Sequence, residues 1–313
     1  MQDVMVSIYV PTYNHENYIV RALDSIRMQQ TQYSYEVFVG EDCSTDNTRA
    51  VLKEWEAANA DERFTILYRE QNMQNTDCRN ALDLKRRCTG KYIICLEGDD
   101  FWTDPLKLEK QVSFLETHPE YIAVAHNCTV VGEDSEPNGE TYPECKDAEY
   151  TLRHFANDIL PGQYTTLLAR NYMKCAPEDA VFQHHRQGPG DRRIYFMLTC
   201  RGRVYCMQES MSAYRHVTSG GSSFSATTKY RYETLRTYNL SFVEYAYAIG
   251  HREAIRYAEM LYVRNIRYAL RTRRINLKTA WTDLGAVRHK LRPLWMLLRR
   301  DINRFIFRKE VAA

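Results

Sequence analysis

Tyr92-Ile-Ile-Cys-Leu-Glu-Gly-Asp-Asp-Phe-Trp102 is the stretch that decides the fold. Its first five residues are an apolar strand, and the run then stops abruptly in Glu97-Gly98-Asp99-Asp100. Upstream, Val4-Met-Val-Ser-Ile-Tyr-Val10, ended by Pro11, has the β-branched, non-alternating character of a buried parallel strand. Tyr35–Val39 and Phe64–Tyr68 read as two more strands. Between them lie helical patterns: Ile19, Ala22, Leu23 and Ile26, with Asn14 placed to cap; Ala50, Val51, Leu52 and Trp55; and a third from about Cys78 to Arg87. This β-α repetition predicts a mostly parallel sheet flanked by helices, an α/β fold.

Ligands of such sheets bind beyond the carboxyl ends of the strands. Three polar clusters fall there: Pro11-Thr-Tyr-Asn14, Glu41-Asp42 and Glu97–Asp100. Carboxylates crowded at one sheet edge repel each other unless a cation neutralises them, and hard oxygen donors suit Mn²⁺ or Mg²⁺. A solvated acidic turn is the alternative for a lone Asp-Asp pair; the strand context and the two companion clusters favour the metal.

Three stretches in order carry a resemblance. Val6-Ser-Ile-Tyr-Val-Pro-Thr-Tyr-Asn14, Gly40-Glu-Asp-Cys-Ser-Thr-Asp-Asn-Thr48, and Arg79-Asn80 followed by Gly90–Asp100 resemble the signatures of family 2 glycosyltransferases of the GT-A fold, over about the first 105 residues. The resemblance implies a nucleotide-sugar donor, UDP-linked by preference, and an inverting transfer to a glycan or lipid-linked acceptor. It implies that Pro11, Thr12, Tyr13, Asp42 and Arg79 bind the nucleotide. Asp99 would hold the metal, with Glu97 and Asp100 at the ribose or donor sugar. Cys43 stands where the family often has glycine, which suggests a turn needing no positive φ.

Downstream, Gly188-Pro-Gly-Asp-Arg-Arg-Ile-Tyr-Phe-Met-Leu198 resembles the segment bearing the family's catalytic carboxylate, so Asp191 is the candidate general base; helix capping is its alternative role. In Ser212–Ser222, Arg215 and His216 are candidates to meet the leaving diphosphate, and Gly220-Gly221 to hinge a closing loop. His184-His185 reads as an exposed loop pair rather than metal ligands. The resemblance divides the chain into a nucleotide-sugar-binding half (1–105), an acceptor-binding half (106–225) and a helical, basic C-terminal extension (226–313).

The chain has 313 residues, 44% apolar and 26% charged, the profile of a globular protein. It contains no long uncharged apolar run, and Met1–Val10 has no basic start, so a cytoplasmic protein is expected. Nine scattered cysteines without a Cys-x-x-Cys pair give no zinc or dithiol motif. The formal net charge of +2 hides an asymmetry. Residues 226–313 hold 19 Lys and Arg against 7 Asp and Glu, a net of +12. Within Arg288–Lys309, Leu, Trp and Phe alternate with Arg, so a helix meeting an anionic membrane surface is expected, the alternative being a stripe packed on the body or on a second subunit. No nucleic-acid motif accompanies the charge.

Competing readings fail on missing parts. A dehydrogenase needs a Gly-x-Gly-x-x-Gly loop after the first strand, and a sugar nucleotidyltransferase a glycine-rich phosphate loop; Pro11-Thr-Tyr-Asn14 stands there instead. A catalytically silent nucleotide-sugar binder is the non-enzyme alternative.

Overall fold

The computed structural model describes residues 4–73, 79–174, 177–183, 188–217 and 231–310, which fall into two compact units. The first comprises 1–150, 159–175 and 201–228; the second comprises 151–158, 176–200 and 229–313.

The first unit is built on a nine-stranded sheet. Its strands are β1 (Val6–Thr12), β2 (Tyr35–Glu41), β3 (Phe64–Tyr68), β4 (Tyr92–Cys95), β5 (Phe101–Trp102), β6 (Tyr121–Val131), β7 (Glu149–Tyr150), β8 (Leu168–Arg170) and β9 (Arg203–Arg215). The order is β3-β2-β1-β4-β8-β6-β9-β5, with β7 also on β9. β3, β2, β1 and β4 run parallel, as the β-α repetition predicts. β8 is antiparallel to both neighbours, and β5 and β7 are antiparallel to β9. The helices of this unit are α1 (Ile19–Arg27), α2 (Thr48–Asn59), α3 (Asn80–Arg87) and α4 (Lys107–Thr117).

β1 lies inside the sheet, between β2 and β4, and is covered on both faces. Val6, Ile8 and Val10 enter a core with Ile19, Leu23, Val37, Leu52, Ile94 and Leu108. Its alternate residues are equally inaccessible: Ser7 Oγ donates to Glu36 at 2.5 Å, and the hydroxyls of Tyr9 and Tyr164 meet at 2.7 Å. Burying each large aliphatic side chain contributes about 1.5–3 kcal/mol, so this run alone fixes β1's place and register.

The second unit is helical: α5 (Leu152–Ala156), α6 (Pro177–Gln183), α7 (Gly190–Arg201), α8 (Tyr232–Ala248), α9 (Arg252–Arg271), α10 (Leu277–Leu284) and α11 (Leu291–Glu310). An aromatic cluster ties it together. Phe182 stacks on Tyr245 at 4.3 Å, and Phe196 meets Phe242 edge-on at 5.0 Å. No helix among the described residues is long and apolar enough to cross a membrane.

Candidate active site

The site is assembled where β2, β1 and β4 end side by side. Their turns are stitched by backbone bonds: Asp42 N–H donates to Thr12 O at 3.0 Å, and Gly98 N–H to Pro11 O at 3.2 Å. The Ser-Thr-Asp-x-Thr stretch explains itself as a zipper. Asn14 Oδ1 accepts from Thr45 N–H (2.9 Å), Ser44 Oγ from Asn14 N–H (3.0 Å), and Thr48 Oγ1 from His15 N–H (2.8 Å). Asn14 therefore does not cap α1. Its side chain is spent on the facing turn, and α1 begins after Tyr18 without a side-chain cap. Cys43 likewise departs from expectation, since its φ is +57°. The turn keeps the left-handed conformation that glycine would take, at a cost cysteine tolerates because the zipper holds both ends.

Of the Glu41-Asp42 pair, Glu41 is structural. It is fully buried, and its carboxylate accepts from Ser44 N–H (2.6 Å) and Arg49 Nε (2.5 Å). Asp42 is placed at the mouth, its Oδ1 accepting from Met73 N–H at 2.8 Å. Burial raises its carboxyl above the ordinary carboxylate range. Thr12 is buried and Tyr13 exposed on the same rim, and Arg79 lies exposed just before α3.

Glu97, Asp99 and Asp100 converge: one carboxylate oxygen from each lies within 4.8 Å of the others. Gly98 is required by proximity, because a Cβ there would sit 2.7 Å from Thr12 Oγ1 and 2.8 Å from His15 Nδ1. His15, which the sequence did not flag, brings Nε2 to 3.9 Å from Asp99 Oδ2 and Nδ1 to 3.1 Å from Thr12 Oγ1. Gln163 Nε2 donates to Glu97 at 3.4 Å. Asp100 is buried, its Oδ1 accepting from Arg215 N–H at 2.8 Å and its Oδ2 3.4 Å from Thr165 Oγ1. Burial first, then the charges of Asp99 and Glu97, push its carboxyl well above the usual range.

That shift has a signed consequence. Folding holds a proton on Asp100 that the unfolded chain releases near its ordinary pKa of about 3.9, so Asp100 subtracts stability as pH rises above that value. Asp100→Asn supplies the neutral form permanently, and its amide can serve both Arg215 N–H and Thr165. In chelator, the melting temperature of the parent is expected to fall relative to Asp100→Asn from about pH 4 upward. Parallel melting curves across pH would refute the assignment.

Arg215 fastens this turn. Its Nε donates to Asp99 O (2.9 Å), its Nη1 to Gly132 O (2.5 Å) and Glu133 O (3.0 Å), and its Nη2 to Ser135 Oγ (2.7 Å). The guanidinium also lies 4.0 Å above the Tyr18 ring. Four of its roughly five N–H donors are thus committed to the protein, leaving little of it for a diphosphate. Arg215→Ala strands several half-buried carbonyls and is expected to cost about 2–3 kcal/mol of stability, read by denaturant melts. A lysine cannot reproduce the fork and should recover less than half of the loss. His216 Nδ1 pairs with Glu140 Oε2 at 2.5 Å on the adjoining loop.

A model of the family described as glycosyl transferase family 2 matches residues 7–173, more than half of the chain. The chain belongs to that family. Among its relatives, the uncharacterized protein Rv1520 of Mycobacterium tuberculosis is 31% identical over 223 residues, 69% of this chain and 60% of that one. WfgD of Escherichia coli, a UDP-Glc:alpha-D-GlcNAc-diphosphoundecaprenol beta-1,3-glucosyltransferase, is 31% identical over 147 residues, 45% of this chain and 55% of its own. The chain therefore spans 60% or less of the length of these two relatives. The solved structure of S. aureus TarS in complex with UDP-GlcNAc shares the fold, with a TM-score of 0.62 and 16% identity over 91% of this chain and 82% of that one.

In this family 2 chain, Asp191 belongs to the second unit, within the first turn of α7. Its Oδ1 accepts from Arg192 N–H at 2.7 Å. The loop before it is set by Gly188, whose φ is +76° and whose Cβ position the Tyr238 ring would occupy at 2.3 Å. Tyr238 Oη also donates to Pro189 O at 3.2 Å. The hinge expected at Gly220-Gly221 and the His184-His185 pair lie outside the described residues.

Proposed function

We propose that the chain transfers a sugar from a nucleoside-diphosphate sugar, a UDP-sugar by preference, to a hydroxyl of a glycan or lipid-linked acceptor, with inversion at the anomeric carbon. The observation that carries this reading is the convergence of Glu97, Asp99 and Asp100 beside the β1 and β2 turns, in a chain of this family.

The donor set fits a divalent cation, Mn²⁺ or Mg²⁺. Three hard carboxylates crowd together, and burial with mutual repulsion leaves Asp100 short of compensating positive charge. Asp99 is the first choice to hold it, with Glu97 and Asp100 beside it at the ribose or donor sugar. When bound, the cation would neutralise charge on the leaving nucleoside diphosphate. Pro11, Thr12 and Tyr13 flank the base in this reading, Asp42 accepts from base or ribose, and Arg79 lies beside the nucleotide. Arg215 holds the Asp99-Asp100 backbone in place, and His216 remains the basic side chain nearest in sequence for the diphosphate. Asp191 takes the acceptor's proton as its oxygen attacks.

The test is nucleoside diphosphate release from a panel of UDP- and GDP-sugars, with and without Mn²⁺, in the presence of glycan and lipid-linked acceptors. Release from one donor, stimulated by cation and acceptor, is expected. Pyrophosphate-dependent chemistry would point instead to a nucleotidyltransferase, and binding without turnover to a silent binder.

A further inference from the structure

The C-terminal helices of the second unit carry a surface that sugar transfer does not use. α10 and α11 both pack on α9. α10 turns Ala280 and Asp283 inward, while Leu277 and Trp281, one helical turn apart, stand 75% and 76% exposed. α11 behaves alike. Leu297 is buried, whereas Leu291, Leu294, Trp295 and Leu298 share the opposite face, with Leu291 82% and Trp295 58% exposed. An amphipathic helix ordinarily turns its apolar stripe to the core. Here a second apolar stripe, holding two of the chain's four tryptophans, points to solvent on each helix.

Charge decides what fits there. Exposed Lys278, Arg288, Lys290, Arg292 and Arg299 lie on or beside these helices. Among the described side chains, the acids of the same stretch are already engaged: Asp283 with Arg236 at 2.6 Å and Asp301 with Arg267 at 2.5 Å. A second copy of this chain would bring the same cationic rim against itself, with no acidic rim to meet it. An anionic bilayer offers both components, phosphate headgroups for Lys and Arg and acyl chains for Trp and Leu.

We infer that α10 and α11 form a docking surface for an anionic membrane, which the chain occupies peripherally. The inference stands apart from the transferase reading, because its test reads lipid binding and not turnover. The full chain is mixed with phosphatidylcholine vesicles, with and without phosphatidylglycerol, at low and high salt. Trp55 and Trp102 are buried, so a change in tryptophan emission reports Trp281 and Trp295. Expected are a blue shift and co-sedimentation with the anionic vesicles, at least about tenfold stronger than with phosphatidylcholine alone and weakened by salt. Replacing Trp281, Trp295 and Leu298 together by serine should cut that binding by at least about tenfold with the melting temperature unchanged. Lys278→Glu with Arg292→Glu and Arg299→Glu should abolish the preference for phosphatidylglycerol. Equal binding to both vesicle types would overturn the inference, as would full binding by the serine variant. A parent dimer that the serine variant converts to monomer, with no vesicle binding in either, would instead make the face a self-association surface. Single-stranded DNA binding as tight as vesicle binding and indifferent to the serine changes would reduce the patch to charge alone.

Discussion

Asp99→Asn is expected to lower kcat/KM for the nucleotide-sugar by about a thousandfold while making the cation-free protein slightly more stable. The two effects have one cause. Asp99 stands within a cluster whose members repel each other, and its charge is the second contributor to the upward shift of Asp100. Removing that charge relaxes Asp100 towards its ordinary range and relieves the fold. The same removal weakens cation binding where charge develops on the leaving group, and a thousandfold corresponds to about 4 kcal/mol of transition-state stabilisation. Steady-state kinetics and melting curves in chelator measure the two sides. A loss of activity accompanied by a loss of stability would mean that Asp99 merely braces the turn.

Asp191→Asn is expected to lower kcat by about 10²–10⁴-fold, the ordinary contribution of a general base, while leaving nucleotide-sugar affinity within about twofold. Its place in the first turn of α7 permits a competing explanation, since an acid there favours the helix dipole by about 0.3–1 kcal/mol. That role predicts a small drop in melting temperature and no change in kcat. The pH profile separates them further, because loss of a base removes the acidic limb of kcat/KM and loss of a helix contact does not. Full activity of Asp191→Asn with its proper acceptor would exclude it as the base.

The parallel half of the sheet was legible because β1 and β4, buried on both faces, leave nearly uninterrupted apolar runs, while β2 and the partly exposed β3 keep short aromatic and β-branched ones. Phe64–Tyr68 coincides with β3 to the residue, and Tyr92–Leu96 overshoots β4 by one. The mixed remainder, in which β6 and β9 are parallel and β5, β7 and β8 antiparallel, was less so. β5 and β8 have two and three residues, too few to show any period. α4 did carry a signal, Leu108, Val112 and Leu115 at helical spacing, in a region whose mixed composition obscured it. Arg203–Met207 and Glu209–Tyr214 each read as a strand in the sequence. They are one strand, β9, facing register shifts at His126, Asn127 and Cys128 of β6.

The candidate site divides the same way. Glu97, Asp99 and Asp100 are near neighbours in sequence, so their meeting was readable from the strand that precedes them. His15, Gln163 and Thr165 approach the same carboxylates from elsewhere, and only the fold brings them there. Arg215, the candidate to meet the leaving diphosphate, lies beside this turn. Its commitment to Asp99 O, Gly132 O and Glu133 O depends on how β9 runs beside β6, which no local pattern discloses.

In the proposed function, Glu97, Asp99 and Asp100 clamp a nucleotide-sugar through a divalent cation. Calorimetric titration of UDP- and GDP-sugars into the parent and Asp99→Asn, each with Mn²⁺ and with chelator, tests it most directly. At least one donor should bind the parent at least about tenfold more tightly with Mn²⁺ than without, and Asp99→Asn should lose that difference. Binding equally tight in chelator, or a cation effect undiminished in Asp99→Asn, would contradict the account.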